Sequence, residues 1–178
     1  MPSDRNERLD ALLDKQEITE CILRFARGVD RHDTEIARSA YHEDARDDHA
    51  MFIGSGYDLV DWAEGLHSEH FRSHLHYVSN ILIELDGDEA HAESYAIRVG
   101  VFKDSAGHSI SGGRYLDRLE RRDGVWGIVD RLLIIEWDEH LDEIAPLVHE
   151  FSQDRRDPSY RRPLRVERER RGEGAVGK

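Results

Sequence analysis

Cysteine occurs once and methionine twice in 178 residues, and only four prolines interrupt the chain. A lone Cys21 excludes an internal disulfide framework, so the fold has to rest on a packed core. Its position among Ile18, Ile22 and Phe25 reads as a core thiol on an apolar helix face, with a reactive nucleophile as the alternative. No apolar run approaches the roughly 20 residues of a membrane-spanning helix, and mean hydropathy is −0.71. Membrane partners are therefore not expected. Met1 to Leu13 is charged from Asp4 onward and lacks the apolar stretch of roughly 7–15 residues that a secretory signal needs, so the chain reads as cytoplasmic. The phosphate-cradling patterns Gly-x-Gly-x-x-Gly and Gly-Lys-Ser/Thr are missing too, which leaves no support for a nucleotide cofactor. The expected chemistry is cofactor-free.

Basic residues are the other shortage, with 25 Lys and Arg against 38 Asp and Glu for a net charge of −13. Residues 153–178 hold nine of the basic and five of the acidic side chains, so the body carries −17 and the tail +4. An acidic body lacks the basic footprint that displaces counterions from phosphates, which argues against nucleic acid as a partner. The organisation expected is a single domain over 1–152 followed by a basic tail over 153–178. The tail, with Arg155, Arg156, Arg161 and Arg162 among its charges, reads as flexible or docked on an acidic subunit face. An RNA-binding arm is the alternative.

Apolar residues at three- and four-residue steps from Leu9 through Leu13, Ile18, Ile22, Phe25 and Val29 predict a long first helix ending near Asp30. Asp33-Thr34 offers a capped start for a short second helix, and Ala45 to Ile53 reads as a strand before Gly54-Ser55-Gly56. Leu59, Trp62, Leu66 and Phe71 mark a third helix over about 58–73. The period then changes to two. His76 to Leu85, Ala90 to Lys103, His108 to Arg121 and Trp126 to Trp137 read as strands, punctuated by Asp86-Gly87-Asp88 and Asp123-Gly124 turns. A short helical segment is expected over Glu139–Phe151. The pattern is α+β: a cone-shaped, curved, antiparallel or mixed sheet wrapped around N-terminal helices, enclosing a cavity. Ser111, Gly112 and Gly113 inside a strand suggest a bulge, room kept clear for a ligand, or both.

Three segments carry a resemblance over roughly Leu12 to Trp137: Gly28-Val29-Asp30, His76-Tyr77 with Asn80 beyond, and Glu120-Arg121-Arg122-Asp123-Gly124-Val125-Trp126 with Arg131 five positions later. In these the chain resembles the nuclear transport factor 2-like superfamily, specifically the SnoaL-like branch containing scytalone dehydratase and hexachlorocyclohexane dehydrochlorinase. The resemblance implies a catalytic set of Asp30, His76 and Arg131. A neutral His76 would take a proton from carbon, Asp30 would fix its tautomer and stabilise the imidazolium, and Arg131 would stabilise the developing negative charge. That describes a lyase performing a dehydratase-like elimination. An isomerase, cyclase or carbon–carbon lyase uses the same apparatus, and a non-catalytic ligand-binding or assembly module is the rival from another class.

Strand alternation places Arg131 with Leu133 and Ile135, and the set Tyr95, Ile97, Val99, Ser111, Gly113 and Tyr115 is expected to line the same cavity. Phe25, Phe52 and Trp62 read as packing that also forms its wall, and Tyr41 and Tyr95 are candidates for substrate contact. Such a cavity suits a small hydrophobic, cyclic or aromatic substrate. His67, His70 and His74 recur on one helix face, close to His76 and to Asp47, Asp48 and His49. Without a tight ligand motif they read as a solvated face, so no metal is expected. An open sheet face predicts a homo-oligomer, trimer or dimer.

Overall fold

The computed structural model describes residues 4–104, 107–141, 154–156 and 160. Helix α1 runs over Arg5–Asp30, and Ile18, Cys21, Ile22, Phe25 and Val29 form its buried stripe. Burying each large apolar side chain contributes roughly 1.5–3 kcal/mol. Leu9, Leu12 and Leu13, expected on the same stripe, are exposed because the first turns project past the sheet. Cys21 is fully buried, its Sγ lies 3.2 Å from the Ala40 carbonyl oxygen, and burial pushes the thiol up to about 11. It is a core thiol. Asp33 caps α2 (Thr34–Arg38) by accepting from the Ile36 amide.

The expected strand over Ala45–Ile53 is two strands, β1 (Tyr41–Asp48) and β2 (Ile53–Ser55), joined by a tight reversal with Ala50 at φ 63°. Ser55 caps α3 (Gly56–His70), which ends at His70 rather than Ser73, since Phe71 already opens β3 (Phe71–Asp86). Next come β4 (Glu89–Phe102), β5 (His108–Arg122) and β6 (Val125–Leu141). Glu139, His140 and Leu141 therefore extend β6 instead of starting a helix, and residues 142–151 lie outside the described residues. Gly87 at φ 65° serves the β3–β4 turn, while Asp123 and Gly124 at φ 52° and 80° serve the β5–β6 turn. No helix among the described residues is long and apolar enough to cross a membrane.

The six strands form one curved, unclosed mixed sheet in the order β2-β1-β6-β5-β4-β3, antiparallel except for the β1–β6 pair. The C-terminal half of α1 and helix α3 sit in its concave side, which makes the cone. Two irregularities shape that surface. At Asn80, φ 50°, the β3–β4 register shifts, so the inward residues change from His74, His76 and Val78 to Ile83. Between Gly112 and Gly113 the β5–β6 register shifts as well. The described tail residues meet the body at the α1–α2 junction, where Arg155 and the Tyr160 hydroxyl reach the Asp33 carboxylate and Arg27 lies over the Tyr160 ring.

Both glycines at the bulge answer to close approach. A β carbon on Gly113 would stand 2.0 Å from the Ile134 carbonyl oxygen, and one on Gly112 would stand 2.3 Å from the Trp137 ring. Gly113→Ala must therefore push two strands apart, and the expected loss is about 1–3 kcal/mol in chemical denaturation. Gly65, exposed on α3 with open space around it, provides the contrast: Gly65→Ala should raise stability by up to about 1 kcal/mol.

Candidate active site

A cavity of about 410 Å³ lies between α1, α3 and the concave sheet face. Phe25 and Val29 come from α1, Trp62, Leu66 and His67 from α3, and Ala96, Arg98, Ser111, Gly113, Tyr115, Leu133 and Ile135 from the sheet. His76 enters it from β3. Its Nδ1 lies 2.7 Å from Asp30 Oδ1, and its backbone amide donates to both carboxylate oxygens, at 3.1 and 2.9 Å. Asp30 is the last residue of α1, so this clamp ties the helix end to the middle of β3. An ionised carboxylate only accepts, which assigns the ring proton to Nδ1 and leaves Nε2 of the neutral ring unprotonated. Asp30 and His76 also line a shallower groove beside α1, with Arg27 and Arg31, so the dyad stands between the cavity and the outer surface.

Further histidines pack around His76. The His67 and His74 rings are 4.1 Å apart, His67 is 5.9 Å from the His76 ring, and His74 Nε2 is bonded to the Val29 carbonyl at 3.0 Å. Among the described residues no three His, Cys, Asp or Glu side chains are arranged to hold a metal ion. Burial, aided by neighbouring imidazoles, pushes His67 down to about 2, and burial pushes His74 down to about 4 against the opposing pull of the Val29 hydrogen bond. These two rings are therefore buried and neutral, not part of the solvated helix face expected for them: His74 belongs to β3, and of the three only His70 is exposed.

Arg131 lies on the cavity's face of the sheet yet does not line the cavity. Its guanidinium is fully buried and makes a bidentate pair with Asp117, Nε to Oδ1 at 2.7 Å and Nη2 to Oδ2 at 2.8 Å. The Tyr115 and Phe25 rings cover it at 4.4 and 4.6 Å, and Nη1 donates to the Tyr41 hydroxyl. It therefore sits one ring's thickness behind the wall, with its donors engaged.

The remaining expected residues divide. Phe25, Trp62, Ser111, Gly113 and Tyr115 line the cavity. Tyr41 is buried deeper, bonding Asp47, and Phe52 stacks on the far side of Trp62. Tyr95, Ile97 and Val99 point to the opposite face of the sheet, because Ala96 pairs with Gly113 and Arg98 with Ser111. A register offset of one residue turns every side chain over. Arg98 and Asp138 face inward without having been expected there, and His49 and His67, expected on a solvated face, line the cavity as well. For Arg98 the signal lay in the length of the β4–β5 connection, which sets the register.

Stability should depend on pH through the two depressed histidines. Folded, His67 and His74 resist protonation, so below about pH 6.5 the unfolded chain binds more protons than the folded one. Their contribution is fully present above that pH and is lost as pH falls toward the folded values. For His67 alone the loss between pH 6.5 and about 4.5 reaches up to about 2 kcal/mol. Urea denaturation at the two pH values should show a shallower dependence in His67→Phe than in the wild type.

The pattern of the SnoaL-like domain matches residues 10–131. Among solved structures, a hexachlorocyclohexane dehydrochlorinase, LinA type 2, is 21% identical with a TM-score of 0.72, covering 78% of this chain and 97% of that one. A candidate scytalone dehydratase from Novosphingobium aromaticivorans is 21% identical with a TM-score of 0.66, over 78% and 97%. A Mycobacterium tuberculosis protein of unknown function is 24% identical with a TM-score of 0.63, over 70% and 77%. Curated proteins give no significant match. These structural likenesses establish the fold, and with its family pattern spanning most of the sheet and both long helices, the chain belongs to the SnoaL-like domain family of the nuclear transport factor 2-like superfamily.

Proposed function

We propose that the chain is a cofactor-independent lyase that eliminates water or a similar small group from a small hydrophobic, cyclic or aromatic substrate. The observation that carries this reading is the His76–Asp30 contact at 2.7 Å on the wall of an apolar cavity. His76 Nε2 takes a proton from carbon, the C–H electron pair becomes the new double bond, and the leaving group departs with its own pair. Asp30 stabilises the imidazolium that forms. The imidazolium then returns the proton to the departing hydroxide, giving water. No external acid, base or redox partner is consumed. Arg131, its charge paired with Asp117, contributes from behind the Phe25 and Tyr115 rings, where it holds the cavity wall in place.

His76→Ala should lower turnover of a β-hydroxy cyclic ketone by about 10²–10⁴-fold, followed by absorbance of the conjugated product, while substrate binding persists. Asp30→Asn should also reduce turnover, because the tautomer is no longer enforced. Turnover that survives His76→Ala would refute His76 as the base, and a wild type that binds such ligands without turning them over would favour the binding module.

The chain is also proposed to work as a homo-oligomer, dimer or trimer, through the convex sheet face. Tyr77, Tyr95, Ile97 and Trp137 are exposed there, and Tyr77 pairs with Ile97 across β3 and β4. Light scattering should return a multiple of 20.6 kDa. A monomer at micromolar concentration would count against it.

A further inference from the structure

Among the described residues Arg98 is the Lys or Arg that lines the cavity beside His76, and its guanidinium is only partly used. Nη2 donates to Ser109 Oγ at 2.9 Å, and the group lies 5.1 Å from the centre of the Phe71 ring, so its position is fixed. Nη1 is buried and has no hydrogen-bond partner among the described residues. Leaving a donor of a charged group dry and unpaired is costly, so a site built this way is completed by an acceptor. The other polar groups here do not fill that role. Asp138 lines the same cavity and acts on Arg98 through space, yet its carboxylate is not bonded to Nη1. His67 Nδ1, whose ring packs against Phe71, is also buried and has no hydrogen-bond partner among the described residues.

Register puts this donor next to the chemistry. Arg98 is the direct cross-strand partner of His76, with both side chains on the concave face, and such pairs hold their β carbons about 4.5–5.5 Å apart. One small molecule can therefore present a C–H to His76 and an oxygen to Arg98 at once.

We propose that Arg98 Nη1 binds an sp² oxygen of the substrate, a carbonyl or carboxylate conjugated to the carbon that His76 deprotonates. The inference deepens the lyase reading and rests on it for the reaction, though not for the binding. As the proton moves to His76, the C–H electron pair forms the enolate double bond and the carbonyl pair moves onto oxygen, where Arg98 holds the charge. The enolate then re-forms the carbonyl, its electrons make the new carbon–carbon double bond, and the β leaving group departs with its bonding pair. A halocarbon without oxygen would leave Nη1 unpaired, and sites built to hydrogen-bond an atom reject analogues that lack it.

The test uses three ligands of one shape, 2-naphthoate, 2-naphthamide and 2-methylnaphthalene, titrated into the full-length protein by calorimetry or fluorescence. The wild type should bind 2-naphthoate at least about tenfold more tightly than 2-methylnaphthalene, with 2-naphthamide between them. Arg98→Met should abolish that preference and hold 2-methylnaphthalene within about twofold of wild type, which also reports that the cavity has folded. Arg98→Lys should restore part of the preference, and His76→Asn should leave it intact. A wild type that binds all three alike, or a preference that persists in Arg98→Met, overturns the inference. His76-dependent turnover would survive that result and keep the lyase reading. Conversely, an Arg98-dependent preference in a protein without turnover sustains oxygen recognition and removes the lyase.

Discussion

The buried pair of Arg131 and Asp117 constrains everything around the cavity. Both side chains are sealed from solvent, so each charge is tolerable only while the other is in place. Removing one partner from such a pair typically costs about 3–5 kcal/mol, because the survivor stays buried and uncompensated. The guanidinium is held as a flat plate, and Phe25, Tyr115 and Tyr41 are laid against it. From Tyr41 the chain of contacts continues to Asp47 and then to His49, which reaches the cavity again. One ion pair thereby joins α1, β1, β5 and β6 in a single arrangement. Five residues beyond Phe25, on the same helix, stands Asp30. The plate that fixes Phe25 also fixes where the helix end meets His76, which gives Arg131 its importance without any contact with the cavity.

The helices were legible because their signals are local. The three- and four-residue spacing of Ile18, Ile22, Phe25 and Val29 and the cap at Asp33 depend on neighbours within a turn or two. Turn chemistry was equally readable at Asp86-Gly87-Asp88 and Asp123-Gly124, where positive φ angles are required. Leu9, Leu12 and Leu13 continue the stripe in sequence but not in space, since nothing in a periodic pattern says where the opposing sheet ends.

Sheet faces were only half legible, and the reason is register. Each strand's alternation was correct taken alone, so Ser111, Gly113 and Tyr115 were placed together with Arg131, Leu133 and Ile135 on one face. The phase between β4 and β5 depends on how many residues the connection from 103 to 107 spends, and an odd offset brings Ala96 and Arg98 inward in place of Tyr95 and Ile97. The bulges at Asn80 and at Gly112–Gly113 change phase again within a strand, and they depend on tertiary fit. Composition then disguised the error. Tyr95, Ile97 and Val99 look like cavity residues and Arg98 like a surface one, whereas the apolar set lies on the convex face and the arginine is inside.

That inversion bears on how the dyad acts. Asp30 spends its carboxylate on the ring and the backbone amide of one residue, His76, so it holds both the strand and the imidazole. A carboxylate clamped in this way is poorly placed to be the base itself, and the imidazole becomes the group free to exchange a proton with the cavity. The rings behind it cannot compete, because burial keeps His67 and His74 neutral across ordinary pH. Among the described residues the cationic side chain lining the cavity is Arg98 on the neighbouring strand, while Arg131, paired with Asp117, stands behind the aromatic wall. On the proposed reading His76 would meet its substrate in a largely apolar space with one cation, Arg98, beside it, an arrangement that favours a carbon acid whose charge appears only as its proton leaves.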